Sequence, residues 1–122
     1  GDLRSGDLKG TTYAVLFWNV SSKRFADALP DLAGILKKTR GKKFALLGYN
    51  VDDSAARVAA YVKANGMPWP QALASDQDFP FYNLFYRRRA VVPGVFLISD
   101  TGDLLWFGPI SQLPEQVDAA LA

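Results

Sequence analysis

Six consecutive apolar residues, Tyr13-Ala14-Val15-Leu16-Phe17-Trp18, constrain this chain more than any other feature. The run is too short for a helix and is apolar at every position, so it reads as a strand buried on both faces, the first central strand of a covered sheet. Beyond it the hydrophobic period changes in a regular order. Apolar residues at Phe25, Ala28, Leu29, Leu32, Ile35 and Leu36 mark one helix face, with Ser21 or Ser22 available as a cap and Gly41 beyond the end. Pro30 sits inside that helix, where a proline costs about 3 kcal/mol and bends the axis, so the fold is expected to require the bend.

A second apolar run, Phe44 to Val51, predicts a second buried strand. Asp52-Asp53-Ser54 then opens a helix through Ala55, Val58, Ala59 and Val62, which Asn65-Gly66 closes. Met67-Pro68-Trp69-Pro70 reads as a rigid loop, and Asp76 to Tyr86 as a short irregular helix. Val95-Phe96-Leu97-Ile98 and Leu104-Leu105-Trp106-Phe107 flank the turn Asp100-Thr101-Gly102-Asp103 as a hairpin. Ser111 is expected to cap a last helix through Val117 and Leu121. The order is β-α-β-α-α-β-β-α, with the early strands parallel and the late pair antiparallel. No linker or repeat divides the chain, so residues 1–122 are expected to form a single domain.

The chain contains neither cysteine nor histidine. Zinc and iron–sulfur ligation, Ser–His and Cys–His catalysis and dithiol exchange all need one of those groups, so none is expected. Asp52-Asp53 and Asp76-Gln77-Asp78 lack the ligand run and glycine of a calcium loop and read as helix-start residues, so no metal and no cofactor is expected. A net charge of +2, from 14 Lys and Arg against 12 Asp and Glu, implies no nucleic-acid partner. No apolar run approaches the ~20 residues that cross a bilayer, so a soluble domain is expected. The opening Gly1-Asp2-Leu3-Arg4 is expected to result from a cut in a longer precursor or multidomain parent.

Four motifs carry a resemblance. Phe17-Trp18-Asn19-Val20-Ser21-Ser22-Lys23-Arg24-Phe25 with Leu29-Pro30-Asp31-Leu32 resembles the TlpA-type thioredoxin-like (redoxin) proteins, in which Phe-Trp leads into Trp-Cys-x-x-Cys and a proline-containing helix. Leu47-Gly48-Tyr49-Asn50-Val51-Asp52 is similar to that family's second strand, Val91-Val92-Pro93 to its loop before the third, and Phe96-Leu97-Ile98-Ser99-Asp100-Thr101-Gly102 to the strand and turn after it. The resemblance spans nearly the whole chain. It implies an α/β thioredoxin-like fold with a central mixed sheet flanked by helices, a cis bond before Pro93, and a bacterial, periplasmic or otherwise extracytoplasmic setting.

Alignment on Phe17-Trp18 and Pro30 places the family's tryptophan on Ser21, its attacking cysteine on Ser22 and its resolving cysteine on Phe25. Both sulfurs are replaced, and a bulky ring at position 25 is no isostere of cysteine. No catalytic residue is therefore assigned. Ser22 reads as an N-cap or as a hydroxyl nucleophile at a helix N-terminus, and no base for the latter is visible. Trp18 and Phe25 read either as a ligand-binding rim or as core. Arg87-Arg88-Arg89, beside Tyr86 and upstream of Pro93, reads as a solvated basic face or, by the resemblance, as a flank of a peptide groove with Val92 and Pro93. The cluster Lys37, Lys38, Arg40, Lys42 and Lys43 closes the first long helix, where cations complement the dipole without a partner.

Two functional expectations remain. One is a redox-inactive thioredoxin-like domain that binds a protein or acidic peptide segment or serves a structural role within a longer protein. The other is a TlpA-type thiol-disulfide oxidoreductase whose active-site cysteines are replaced in this chain or supplied by a partner.

Overall fold

A computed structural model of the chain describes residues 10–51, 54–73 and 93–122. Its elements are β1 (Thr12–Trp18), α1 (Lys23–Lys38), β2 (Phe44–Asn50), α2 (Ala55–Ala64), β3 (Gln71–Leu73), β4 (Gly94–Ile98), β5 (Leu104–Gly108), a 3₁₀ turn (Ile110–Gln112) and α3 (Leu113–Leu121). The five strands form one sheet in the order β3-β2-β1-β4-β5. β1 pairs with β2 in parallel from Thr12 against Phe44 to Trp18 against Asn50, and with β4 antiparallel from Tyr13 against Ile98 to Phe17 against Gly94. β4 and β5 are antiparallel, with Phe96 opposite Phe107, so the sheet is mixed as expected.

Period-2 alternation sorts the apolar run of β1 onto two faces. Ala14, Leu16 and Trp18 join a core with Phe25, Leu32 and Ile35 of α1, Val58 of α2, and Leu113 and Val117 of α3. Val15 and Phe17 face the other way, with Leu47, Tyr49, Phe96 and Ile98. Burial on both faces is why residues 14–18 are apolar throughout.

The starts of α1 and α2 are set by serines. Ser22 Oγ accepts from Phe25 N at 3.1 Å and Ser54 Oγ accepts from Arg57 N at 3.2 Å, so each hydroxyl satisfies one of the amides that a first turn leaves open. Pro30 lies within the continuous 16-residue α1. The β4–β5 turn closes around Ser99, whose Oγ accepts from Thr101 N and Asp103 N, and Gly102 takes the φ of +91° that the turn needs.

Two elements differ from expectation. β3 was not anticipated: Gln71–Leu73 pairs in parallel with β2, Gly48 opposite Gln71, although the sequence shows no alternation there. The last helix does not start on a Ser111 cap. Ser111 lies inside the 3₁₀ turn, Gln112 precedes α3 without a side-chain cap, and Pro114 occupies the first turn. Proline needs no amide partner at that position, so the entry is built from its fixed φ rather than from a hydroxyl. The segment 76–86, expected to be an irregular helix, lies outside the described residues. Among those described, no helix is long and apolar enough to cross a membrane.

Candidate functional site

α1 follows β1 after a four-residue turn, so residues 18–25 carry the chain off the end of the central strand and into the helix. Position 22 is the helix cap, and its oxygen is committed to the Phe25 amide. The chain holds no histidine, and among the described residues no carboxylate or amine bonds that hydroxyl. Ser22 is thus built as a cap and lacks the base that a nucleophile requires.

Phe25 points inward. Its ring is fully buried and stacks on the fully buried indole of Trp18 at 4.7 Å between centroids and 20° between planes, with Tyr61 of α2 tilted against both. The indole Nε1 donates to Gln71 Oε1 at 3.0 Å, which ties this ring cluster to β3. Trp18 and Phe25 are therefore core: they offer no surface to a ligand, and an aromatic ring fills the place the resemblance gives to a second sulfur. Arg87, Arg88, Arg89 and Val92 lie outside the described residues, as do Asp52-Asp53, Asp76-Gln77-Asp78 and the start of the bond into Pro93.

Pro93 is described, half-buried at the start of β4, and borders a cavity of about 630 Å³. The apolar wall of this cavity includes Val95 and Phe96 of β4, Phe107 of β5 and Ile110 of the adjoining 3₁₀ turn. Phe107 is 53% exposed, one of two large apolar side chains open to solvent among the described residues, and its ring leans on Phe96 at 5.5 Å. The polar wall comes from one face of α1: Arg24, Asp27 and Asp31, all exposed. The volume falls within the range of small-ligand and side-chain pockets, about 300–1,000 Å³. The structure thus brings Pro93 together with Asp27, Asp31 and Phe107 around the cavity, whose lining includes neither of the buried rings of Trp18 and Phe25.

Sequence reasoning passed over Arg24, Asp27, Asp31, Phe107 and Ile110. Asp27 and Asp31 read as the ordinary polar face of an amphipathic helix, and only their four-residue spacing, which stacks two like charges, was unusual. The basic cluster lies at the other end of α1, where Lys38 pairs with Asp118 at 2.7 Å and donates to Pro114 O at 3.1 Å, so one of its members ties α1 to α3.

The chain matches no family model and no curated protein sequence. Solved structures share its fold. A thioredoxin-family thiol:disulfide interchange protein from Chlorobium tepidum TLS is similar over 97% of this chain and 85% of its own, at 24% identity and a TM-score of 0.80. StoA from Bacillus subtilis is similar over 89% of this chain and 84% of its own, at 20% identity and a TM-score of 0.70. A secreted Mycobacterium tuberculosis disulfide oxidoreductase homologous to E. coli DsbE covers 93% of this chain and 85% of its own, at 13% identity and a TM-score of 0.73. Identities at this level show the fold, which is thioredoxin-like. The Chlorobium tepidum and Mycobacterium tuberculosis proteins are described by thiol–disulfide chemistry, whereas this chain contains no cysteine.

Proposed function

We propose that this chain is a thioredoxin-fold domain that has exchanged dithiol chemistry for binding, and that it takes a protein segment into the cavity beside Pro93. The observation that carries the reading is position 25, a buried ring stacked on Trp18 in a chain with no sulfur nucleophile. Disulfide exchange passes through a mixed disulfide, which neither serine nor phenylalanine can form. A fold shared with oxidoreductases does not carry their activity when the reacting atoms are missing. The cavity, by contrast, persists without them, because it is walled by β4, β5 and α1 rather than by the residues at 22 and 25. An extracytoplasmic setting belongs to the same proposal and is supported by the secreted Mycobacterium tuberculosis neighbour.

Insulin reduction by dithiothreitol tests the loss of exchange chemistry. Turbidity in the presence of the protein is expected to match the buffer blank. An acceleration that scales with added protein would overturn the reading in favour of an oxidoreductase that borrows a thiol.

A further inference from the structure

We infer that the cavity beside Pro93 selects a cationic segment: an extended stretch of a partner protein that places an apolar side chain in the hollow and an adjacent lysine or arginine against Asp27 and Asp31. This inference rests on the binding role proposed above and adds the sign of the partner's charge, which is opposite to the acidic partner that the arginines at 87–89 suggested.

Asp27 and Asp31 stand one turn apart on α1, and like charges at that spacing repel one another. The ion pair among the described residues is Lys38 with Asp118, at the far end of the helix, so neither carboxylate has a described cation within bonding distance. Arg24 lines the same wall, three residues before Asp27, so the described lining residues carry two negative groups against one positive. A face that served only solubility gains by alternating its charges; this one instead turns an unpaired excess of acid toward an apolar hollow. A cation entering there finds two carboxylates beside low-dielectric walls, where a charge pair is worth more than in open water.

The other half of the chemistry is apolar. Phe107 is 53% exposed near the end of β5, and the buried Val95, Phe96 and Ile110 wall the cavity behind it. An aromatic or aliphatic side chain seated there covers surface that is now wet. β5 ends the described sheet, so its outer backbone groups pair with no described strand, and an extended segment can add along that edge. This edge favours a polypeptide occupant over a small molecule, because it offers backbone pairing next to the side-chain pocket.

The test uses fluorescence anisotropy with three labelled peptides on the full chain: an extended sequence holding phenylalanine next to arginine, the same with glutamate for arginine, and the same with alanine for phenylalanine. The first is expected to bind about tenfold tighter than either analogue, and to weaken as ionic strength rises from about 0.05 M to about 0.5 M. The double variant Asp27→Asn, Asp31→Asn should erase the preference for arginine over glutamate, and Phe107→Ala the preference for phenylalanine over alanine. Lys42→Gln, Lys43→Gln, distant from the cavity, should change neither. Unchanged melting temperatures establish that the variants fold. If the glutamate peptide binds tighter and Phe107→Ala weakens it, the cavity binds but the cation selectivity is wrong. A preference for arginine that survives the double aspartate replacement also overturns the inference. If no peptide binds, the binding role itself falls with it, while the insulin assay still decides separately whether exchange chemistry is absent.

Discussion

Ser22 stands where the sequence resemblance places an attacking cysteine, and its hydroxyl oxygen accepts a hydrogen bond from the Phe25 amide, with no other partner among the described residues. A capping hydroxyl contributes to stability, not to turnover. Ser22→Ala should therefore lower unfolding stability by about 1 kcal/mol, seen as a lower urea midpoint with an unchanged slope. Ser22→Asp should retain most of it, because aspartate caps equally well and its charge suits a helix N-terminus. Equal losses in the two variants would mean that the hydroxyl does something other than cap. A cap near this position was legible in the sequence because capping is local, but the choice between Ser21 and Ser22 was settled only by the bond from Phe25 N. The fate of Phe25 was not local. The same residue could line a rim or join the core, and only the stacking of Trp18 and Tyr61 onto its ring decided it.

At the scale of elements, β1, β2, α1, α2 and the β4–β5 hairpin were readable because each carries a full period of its own pattern. β3 was not, since three residues after a proline hold no period and the strand exists only through its neighbour: Gly48 N donates to Pro70 O at 2.8 Å, and Gly48 pairs with Gln71. That neighbour explains why position 48 is glycine. The Gln71 side chain lies over the bare Cα, where a methyl group would collide with its amide, and from there Gln71 Oε1 accepts the Trp18 indole proton. Gly48→Ala should push the amide aside and leave a buried indole N–H without its acceptor, at a cost of about 1–3 kcal/mol. Gln71→Ala alone loses the same hydrogen bond. The double variant should then be no worse than Gly48→Ala and clearly better than the sum of the two single changes, because the clash and the lost bond share one side chain. Additive losses in chemical denaturation would show that Gln71 does not fill the space above Gly48.

At the scale of the molecule, the cavity was the least legible feature, since it forms only where residues 24–31 of α1 meet residues 93–111 across the end of the sheet. Composition, which needs no such convergence, speaks directly to the pH behaviour of the whole. Without histidine or cysteine, no side chain has an ordinary pKa between about 5 and 8, so unfolding stability should be nearly flat across that window. The alkaline side is different. Burial raises the phenol pKa of Tyr13 and of Tyr61 above the usual value of 10.0, because the folded state disfavours the phenolate. Above about pH 10 the unfolded chain releases these protons while the folded one keeps them, so the folded state binds more protons and stability falls as pH rises through the raised values. Tyr61→Phe keeps the ring against Trp18 and removes one of these two raised phenols. Its melting temperature should match that of the parent near neutral pH and decline less steeply above about pH 10. Parallel decline of the two proteins would show that Tyr61 ionises as freely folded as unfolded, and that its packing against the Trp18–Phe25 pair does not shield the phenol from water.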